Sequence, residues 1–162
     1  MVGQDVLDEA ARLLDALRGR GLTVATAESC TGGLIAAALT SVAGSSDVVE
    51  RGFVTYSNAA KTAMLGVPPA LIAEHGAVSE PVALHMALGA IERSEAVLAV
   101  AVTGIAGPGG GTAAKPVGLV WFGAARRGGP SWTAHEVFPG DRTAVRAATV
   151  GYAFGLLSRL SG

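Results

Sequence analysis

The sequence predicts a three-layer α/β/α sandwich on a mixed, mostly parallel sheet. Three observations carry that expectation. Apolar runs of strand length alternate with helical patterns through the first two-thirds of the chain. Two β-rich runs near the end are joined by Arg127-Gly128-Gly129-Pro130, as a hairpin would be. Half of the 162 residues are hydrophobic and 15% are charged, so a single domain over 1–162 can bury a large core.

The elements follow in order. Val6, Ala10, Leu13, Leu14 and Leu17 fall on one face of a helix over 5–18, which Gly19 and Gly21 stop. A strand over 22–27 leads into Glu28-Ser29-Cys30-Thr31-Gly32-Gly33. A helix over 34–42 follows, apolar almost all round and so expected to be buried. Residues 43–47 read as a loop and 48–56 as a strand rich in β-branched and aromatic side chains. Ser57 can cap a short helix containing Lys61 and ending near Gly66. Pro68 and Pro69 open another, closed by Gly76, and Ser79-Glu80-Pro81 starts a longer one to about Arg93. Residues 96–103 read as a core strand, 117–126 and 132–138 as the hairpin, and 142–160 as the last helix.

Composition narrows the function classes. The net charge is −1 and the cations are scattered, so neither a nucleic-acid stripe nor a polybasic membrane patch is expected. The uncharged stretch 96–114 is long enough for a bilayer, but Gly104, Gly107, Pro108 and the Gly109–Gly111 run break it. The polar, acidic N-terminus is unlike a signal peptide, and a lone cysteine, Cys30, fits a reducing, cytoplasmic setting. His75, His85 and His135 lack metal-ligand spacing, so no metal or cofactor is expected. A weakly charged, apolar composition favours a homo-oligomer.

Three turns could carry chemistry, because ligands in such sheets bind where strands end and helices begin: 27–33, 55–58 and 103–111. The first offers hydroxyls and unpaired backbone N–H groups together, which suits an oxyanion or an anionic ligand; its ordinary alternative is an N-cap. The glycine-rich run Thr103-Gly104-Ile105-Ala106-Gly107-Pro108-Gly109-Gly110-Gly111-Thr112 is neither a dinucleotide fingerprint nor a Walker loop. It can let a phosphate or flat ring approach the backbone closely, or serve as a plain surface connection.

Lysine is scarce: only Lys61 and Lys115 stand among twelve cations. A desolvated lysine can act as a base where arginine cannot. A serine activated by a neutral Lys61, with Tyr56 relaying a proton, is a workable nucleophilic assembly, against the alternative of a solvated helix lysine. Ser29, Ser57 and Cys30 compete as nucleophile; Ser29 is preferred for the donors of its own turn. Arg142 and Arg146, four apart at a helix start, would suit a phosphate or simply pair with Asp141 in solvent.

The segments Thr26–Gly33, Gly52–Asn58, Lys61, His75–Ser79, Gly104–Pro108, Lys115–Gly118 and Gly140–Arg142, taken in this order, resemble the CinA C-terminal-domain family over about 5–160. That resemblance implies hydrolysis of the carboxamide of nicotinamide mononucleotide to nicotinate mononucleotide and ammonia. It also implies a stand-alone form without the further N-terminal domain that some members carry. On that reading Ser29 attacks the carboxamide, Lys61 accepts the proton and Tyr56 assists. Donors around Thr31, Gly32 and Gly33 hold the oxyanion; Thr103, Gly104, Ala106 and Gly107 hold the nucleotide, and Arg142 its phosphate. The competing reading is a non-catalytic nucleotide-binding regulatory module.

Overall fold

The structure is a computed structural model describing residues 2–162. Its elements are α1 (Gln4–Gly19), β1 (Val24–Glu28), α2 (Leu34–Thr40), β2 (Val49–Val54), α3 (Asn58–Leu65) and α4 (Pro69–His75), followed by α5 (Glu80–Glu92), β3 (Leu98–Gly104), β4 (Leu119–Arg126), β5 (Ser131–Val137) and α6 (Arg142–Leu160). The five strands form one sheet in the order β2-β1-β3-β4-β5. Strand β1 pairs in parallel with β2 and β3, while β3–β4 and β4–β5 are antiparallel. Four strands therefore run in one direction and β4 alone runs against them, so the expected mixed, mostly parallel sheet is present.

The layers follow from an alternation of large and small side chains. Along β3, Leu98, Val100 and Val102 point to one face, where they meet Leu13, Leu14 and Leu17 of α1, Ile35 and Leu39 of α2, and Phe154 and Leu157 of α6. Ala99 and Ala101 point to the other face with Ala25 and Ala27 of β1, against Val82, Met86, Ala87 and Ala90 of α5. Small residues let α5 lie very close to the sheet: a Cβ on Gly123 would stand 2.2 Å from the Ala83 carbonyl oxygen. Likewise a Cβ on Gly89 would stand 2.0 Å from Leu65 O, so α5 and the end of α3 touch through backbone. That contact seats the helix carrying Lys61.

Most strand and helix ends shift from the sequence reading by one or two residues, and two differences concern the α2 region. Helix α2 ends at Thr40 and buries only Ile35, Ala38 and Leu39, with Ala37 exposed. It is an edge layer over β1 and β2, where one covered face is enough. A turn of 3₁₀ helix, Ser45–Asp47, lies in the expected loop. The last helix begins at Arg142 and ends at Leu160, as its pattern predicts; Asp141 Oδ1 caps it by accepting from Ala144 N–H at 2.9 Å.

Candidate active site

Register brings the three flagged turns together. Glu28, the last residue of β1, lies opposite Val54 of β2 and Val102 of β3. The next residues, Ser29, Thr55 and Thr103, therefore stand side by side at the carboxyl ends of three parallel strands. Ser29 N–H donates to Val102 O at 3.0 Å and Thr55 N–H to Glu28 O at 2.8 Å, locking that edge. The chain leaves β1 toward β2 and returns past it to β3, so this is also where the topology switches.

Lys61 enters from α3. Ser57 Oγ accepts from Ala60 N–H at 3.0 Å and fixes the start of that helix. One turn on, Lys61 is 1% exposed, and its Nζ lies 2.9 Å from Ser29 Oγ and 3.0 Å from Thr55 O. No carboxylate among the described residues forms an ion pair with it. Burial consequently holds the Lys61 pKa below the usual lysine value of 10.5, with a weaker opposing influence from Cys30. Burial also pushes the Cys30 thiol up to about 11, which leaves it protonated near neutral pH and a poor nucleophile. Ser57 is exposed and its hydroxyl is spent on the cap. Of the three candidate nucleophiles, only Ser29 has an amine beside it within hydrogen-bond reach.

These groups line a cavity of about 230 Å³ with Cys30, Tyr56, Asn58, Ala77, Val78, Thr103, Gly104, Ala106 and Arg142. Tyr56 stands at the mouth, 61% exposed, and its hydroxyl accepts from Arg142 at 2.8 Å and not from Lys61. Arg142 also donates to Gly107 O at 2.9 Å, bridging the glycine-rich loop to Tyr56. Thr103 Oγ donates to Ala77 O at 2.9 Å, tying the end of β3 to the 76–79 segment. Beyond Arg142 and Ala106 a second hollow of about 440 Å³ continues over Pro108, Val117, Gly140, Asp141 and Thr143. A larger apolar groove of about 590 Å³ between α3 and α4 shares Asn58 but holds no ionisable side chain.

Not every flagged residue faces the cavity. Thr31 is fully buried beneath the turn, donating from Oγ to Glu28 at 2.6 Å. Gly32 and Gly33 sit beyond it with φ of 59° and 101°, conformations that suit glycine; they shape the turn without lining the pocket. Gly107 contributes its carbonyl to Arg142 and no surface to the cavity wall. Gly32 N–H is used by Ser29 O, and the N–H groups of Ile35 and Ala36 by Glu28. Among the described residues this leaves the N–H groups of Cys30, Thr31 and Gly33 without a protein acceptor.

Sequence reasoning assigned no role to Glu28, Thr55, Asn58, Ala77 or Val78. The 77–78 pair lay inside a segment already singled out, whereas Thr55 acts through its carbonyl, which residue type does not reveal. The histidines lie apart: His85 Nδ1 is 3.0 Å from Pro81 O, His135 stacks on Trp121 at 4.4 Å, and His75 is 3.6 Å from Glu74. No cluster of three or more metal-ligating side chains occurs among the described residues.

Fold and cavity together define an α/β protein with a buried hydroxyl–amine pair at its topological switch point. Known proteins match the chain closely over nearly its whole length. The CinA C-terminal domain profile covers residues 7–161, and the chain belongs to that family. It is 50% identical over 157 residues to the nicotinamide-nucleotide amidohydrolase PncC of Escherichia coli K12, spanning 97% of this chain and 95% of that protein. A CinA-like protein of Mycolicibacterium gilvum is 56% identical over 161 residues, but this chain spans only 37% of it. Among solved structures, competence/damage inducible protein CihA from Agrobacterium tumefaciens superposes with a TM-score of 0.97 at 51% identity, covering 100% and 99% of the two chains. A CinA superfamily protein from Klebsiella pneumoniae gives 0.93 at 39%, with 98% of each covered.

Proposed function

We propose that this chain is an amidohydrolase that converts nicotinamide mononucleotide to nicotinate mononucleotide and ammonia, with Ser29 as nucleophile and Lys61 as base. The observation that carries this reading is the 2.9 Å approach of Lys61 Nζ to Ser29 Oγ inside a cavity at the strand ends. The identity of half the residues to a nicotinamide-nucleotide amidohydrolase supports the substrate.

The chemistry runs as follows. Neutral Lys61 takes the Ser29 hydroxyl proton as Oγ bonds to the carboxamide carbon. Thr55 O, accepting from the amine at 3.0 Å, keeps Nζ aimed through the transfer. Charge on the former carbonyl oxygen falls to the unclaimed N–H of Cys30, whose residue lines the cavity, a donor worth roughly 3 kcal/mol in comparable sites. Lys61 returns its proton to the departing nitrogen, the C–N bond breaks and ammonia leaves. Water, deprotonated by the same amine, then hydrolyses the Ser29 ester and restores both side chains.

The pyridine ring occupies the inner cavity between Thr103, Gly104, Ala106 and Val78, and the ribose phosphate extends past Arg142 into the outer hollow. The inner cavity alone is smaller than a nucleotide site needs, roughly 300 Å³ or more, so both hollows are used. Tyr56 steadies Arg142 at the mouth. Ser29 and Lys61 meet within one chain, so a homo-oligomer, favoured by the exposed Val54, Tyr56 and Met64, does not have to complete the pair.

No helix of the described residues is long and apolar enough to cross a membrane. The lone cysteine supports a reducing, cytoplasmic setting, and the proposed reaction belongs to pyridine-nucleotide salvage. The test is direct: purified protein mixed with nicotinamide mononucleotide releases ammonia and yields nicotinate mononucleotide by mass spectrometry. Tight binding with no ammonia would instead mark a nucleotide-binding module.

A further inference from the structure

Glu28 ends β1 and is wholly buried on a strand where every residue is buried. A carboxyl group in such a place is costly unless its oxygens are bonded. Here they accept three donors: Thr31 Oγ–H at 2.6 Å, Ile35 N–H at 2.9 Å and Ala36 N–H at 3.0 Å. The last two are orphan donors of the first turn of α2, whose N-cap, Gly33, has no side chain to offer them. Gly33 has φ of 101°, so a serine or aspartate cap there would be strained. The cap comes from the strand instead.

This arrangement does more than finish a helix. It ties the residue before Ser29 to the helix after it, closing the 28–36 turn on itself. Thr31 is held from both sides: its hydroxyl by Glu28, and its carbonyl by Arg146 of α6, whose guanidinium donates at 2.8 Å. Gly32 N–H donates to Ser29 O at 3.0 Å across the same ring. Capping alone requires only the two helix N–H bonds; the Thr31 bond adds nothing to α2 and everything to the shape of the turn.

We infer that Glu28 is a positioning residue, which through Thr31 and the start of α2 fixes the direction in which Ser29 Oγ faces Lys61 Nζ. The inference rests on the amidohydrolase reading only for its choice of substrate. Glu28 makes no bond to Ser29 or Lys61 side chains, so it acts through the turn. Reaction rates fall steeply when reacting groups are displaced by an ångström or less.

Glu28→Gln keeps the volume but replaces one accepting oxygen with an NH₂ group, so at least one of the three bonds must fail. For folded Glu28→Gln, kcat should fall about 10²-fold with KM within about twofold, the signature of misplacement and not of lost binding. Thr31→Val, isosteric and lacking the hydroxyl, should lose about tenfold in kcat, and Thr31→Ser should recover most of it. Labelling of Ser29 by phenylmethanesulfonyl fluoride, followed by intact mass, should slow in step with kcat and needs no nucleotide.

Folded Glu28→Gln with wild-type kcat and labelling rate overturns the inference. If that variant does not fold, Thr31→Val decides by the same two readouts. Wild-type protein that releases no ammonia, yet labels at a rate dependent on Glu28, overturns the amidohydrolase reading and upholds the positioning role.

Discussion

The two lysines of this chain sit in regions that treat them oppositely. Lys61 projects from α3 into the core, 1% exposed, with a serine hydroxyl and a backbone carbonyl as its polar neighbours. Lys115 lies in the glycine-rich connection between β3 and β4, half-buried, with its amine donating to His75 O at 2.6 Å. Both stand next to motif-like residues, and the sequence favours Lys61 through its serine and tyrosine neighbours. What separates them is the packing of α5 beneath α3, which lets the Lys61 stem pass through apolar surroundings and denies the amine water. On the proposed reading, burial without a counter-ion makes a base of one lysine, while the same residue type on a loop is a surface strut.

Breaking the buried side should have the largest effect. Ser29→Ala is expected to lower ammonia release by about 10⁴-fold or more, as for other nucleophile deletions, with the fold intact by circular dichroism. Lys61→Met should cost nearly as much activity and yet raise thermal stability at neutral pH. The sign follows from linkage: the Lys61 pKa is lower folded than unfolded, so the unfolded chain binds more protons between those values. Wild-type stability therefore climbs as pH rises through that window toward 10.5, whereas the methionine variant lacks this climb. Thermal melts of both proteins across pH 7–10 measure it, and a flat difference would contradict the account.

Weaker effects sharpen the comparison further. Arg142→Ala should raise KM for nicotinamide mononucleotide by roughly tenfold, the worth of one charge-assisted hydrogen bond, with little change in kcat. Lys115→Met, on the exposed region, should change kcat/KM by no more than about twofold, since surface substitutions are typically worth under 0.5 kcal/mol. Steady-state kinetics on the two variants suffice. A Lys115 variant as damaged as Lys61→Met would remove the distinction between the regions.

Much of this was legible in the chain, and the parts that were not share a cause. Periodicity gave α1 because a long amphipathic pattern is set by one buried face, and Ser57 was legible as a cap because capping is local. The chain offered Ser29 in a strand-end turn and Lys61 on a short helix, and the resemblance joined them, but their contact spans 32 residues and depends on the β1–β2 register. Thr31, Gly32 and Gly33 were read as facing the ligand because a glycine-rich helix start looks alike from either side. Their actual orientation depends on Glu28, and an acidic residue at a strand end reads as solvent-facing until three donors are seen around it. Helix α2 was expected to be buried all round because apolar composition cannot show which layer is outermost.

The scarcity of lysine permits one direct test of the claim that Lys61 is uncharged by burial. Protein carrying ¹³C at lysine Cε gives two resonances, and Lys61→Met assigns them by deleting one. Titrated by NMR, the Lys61 resonance should lose its proton clearly below the ordinary lysine value of 10.5. A Lys61 resonance that keeps its proton up to or past that value would contradict the mechanism, because the amine beside Ser29 would then be an acid where a base is required.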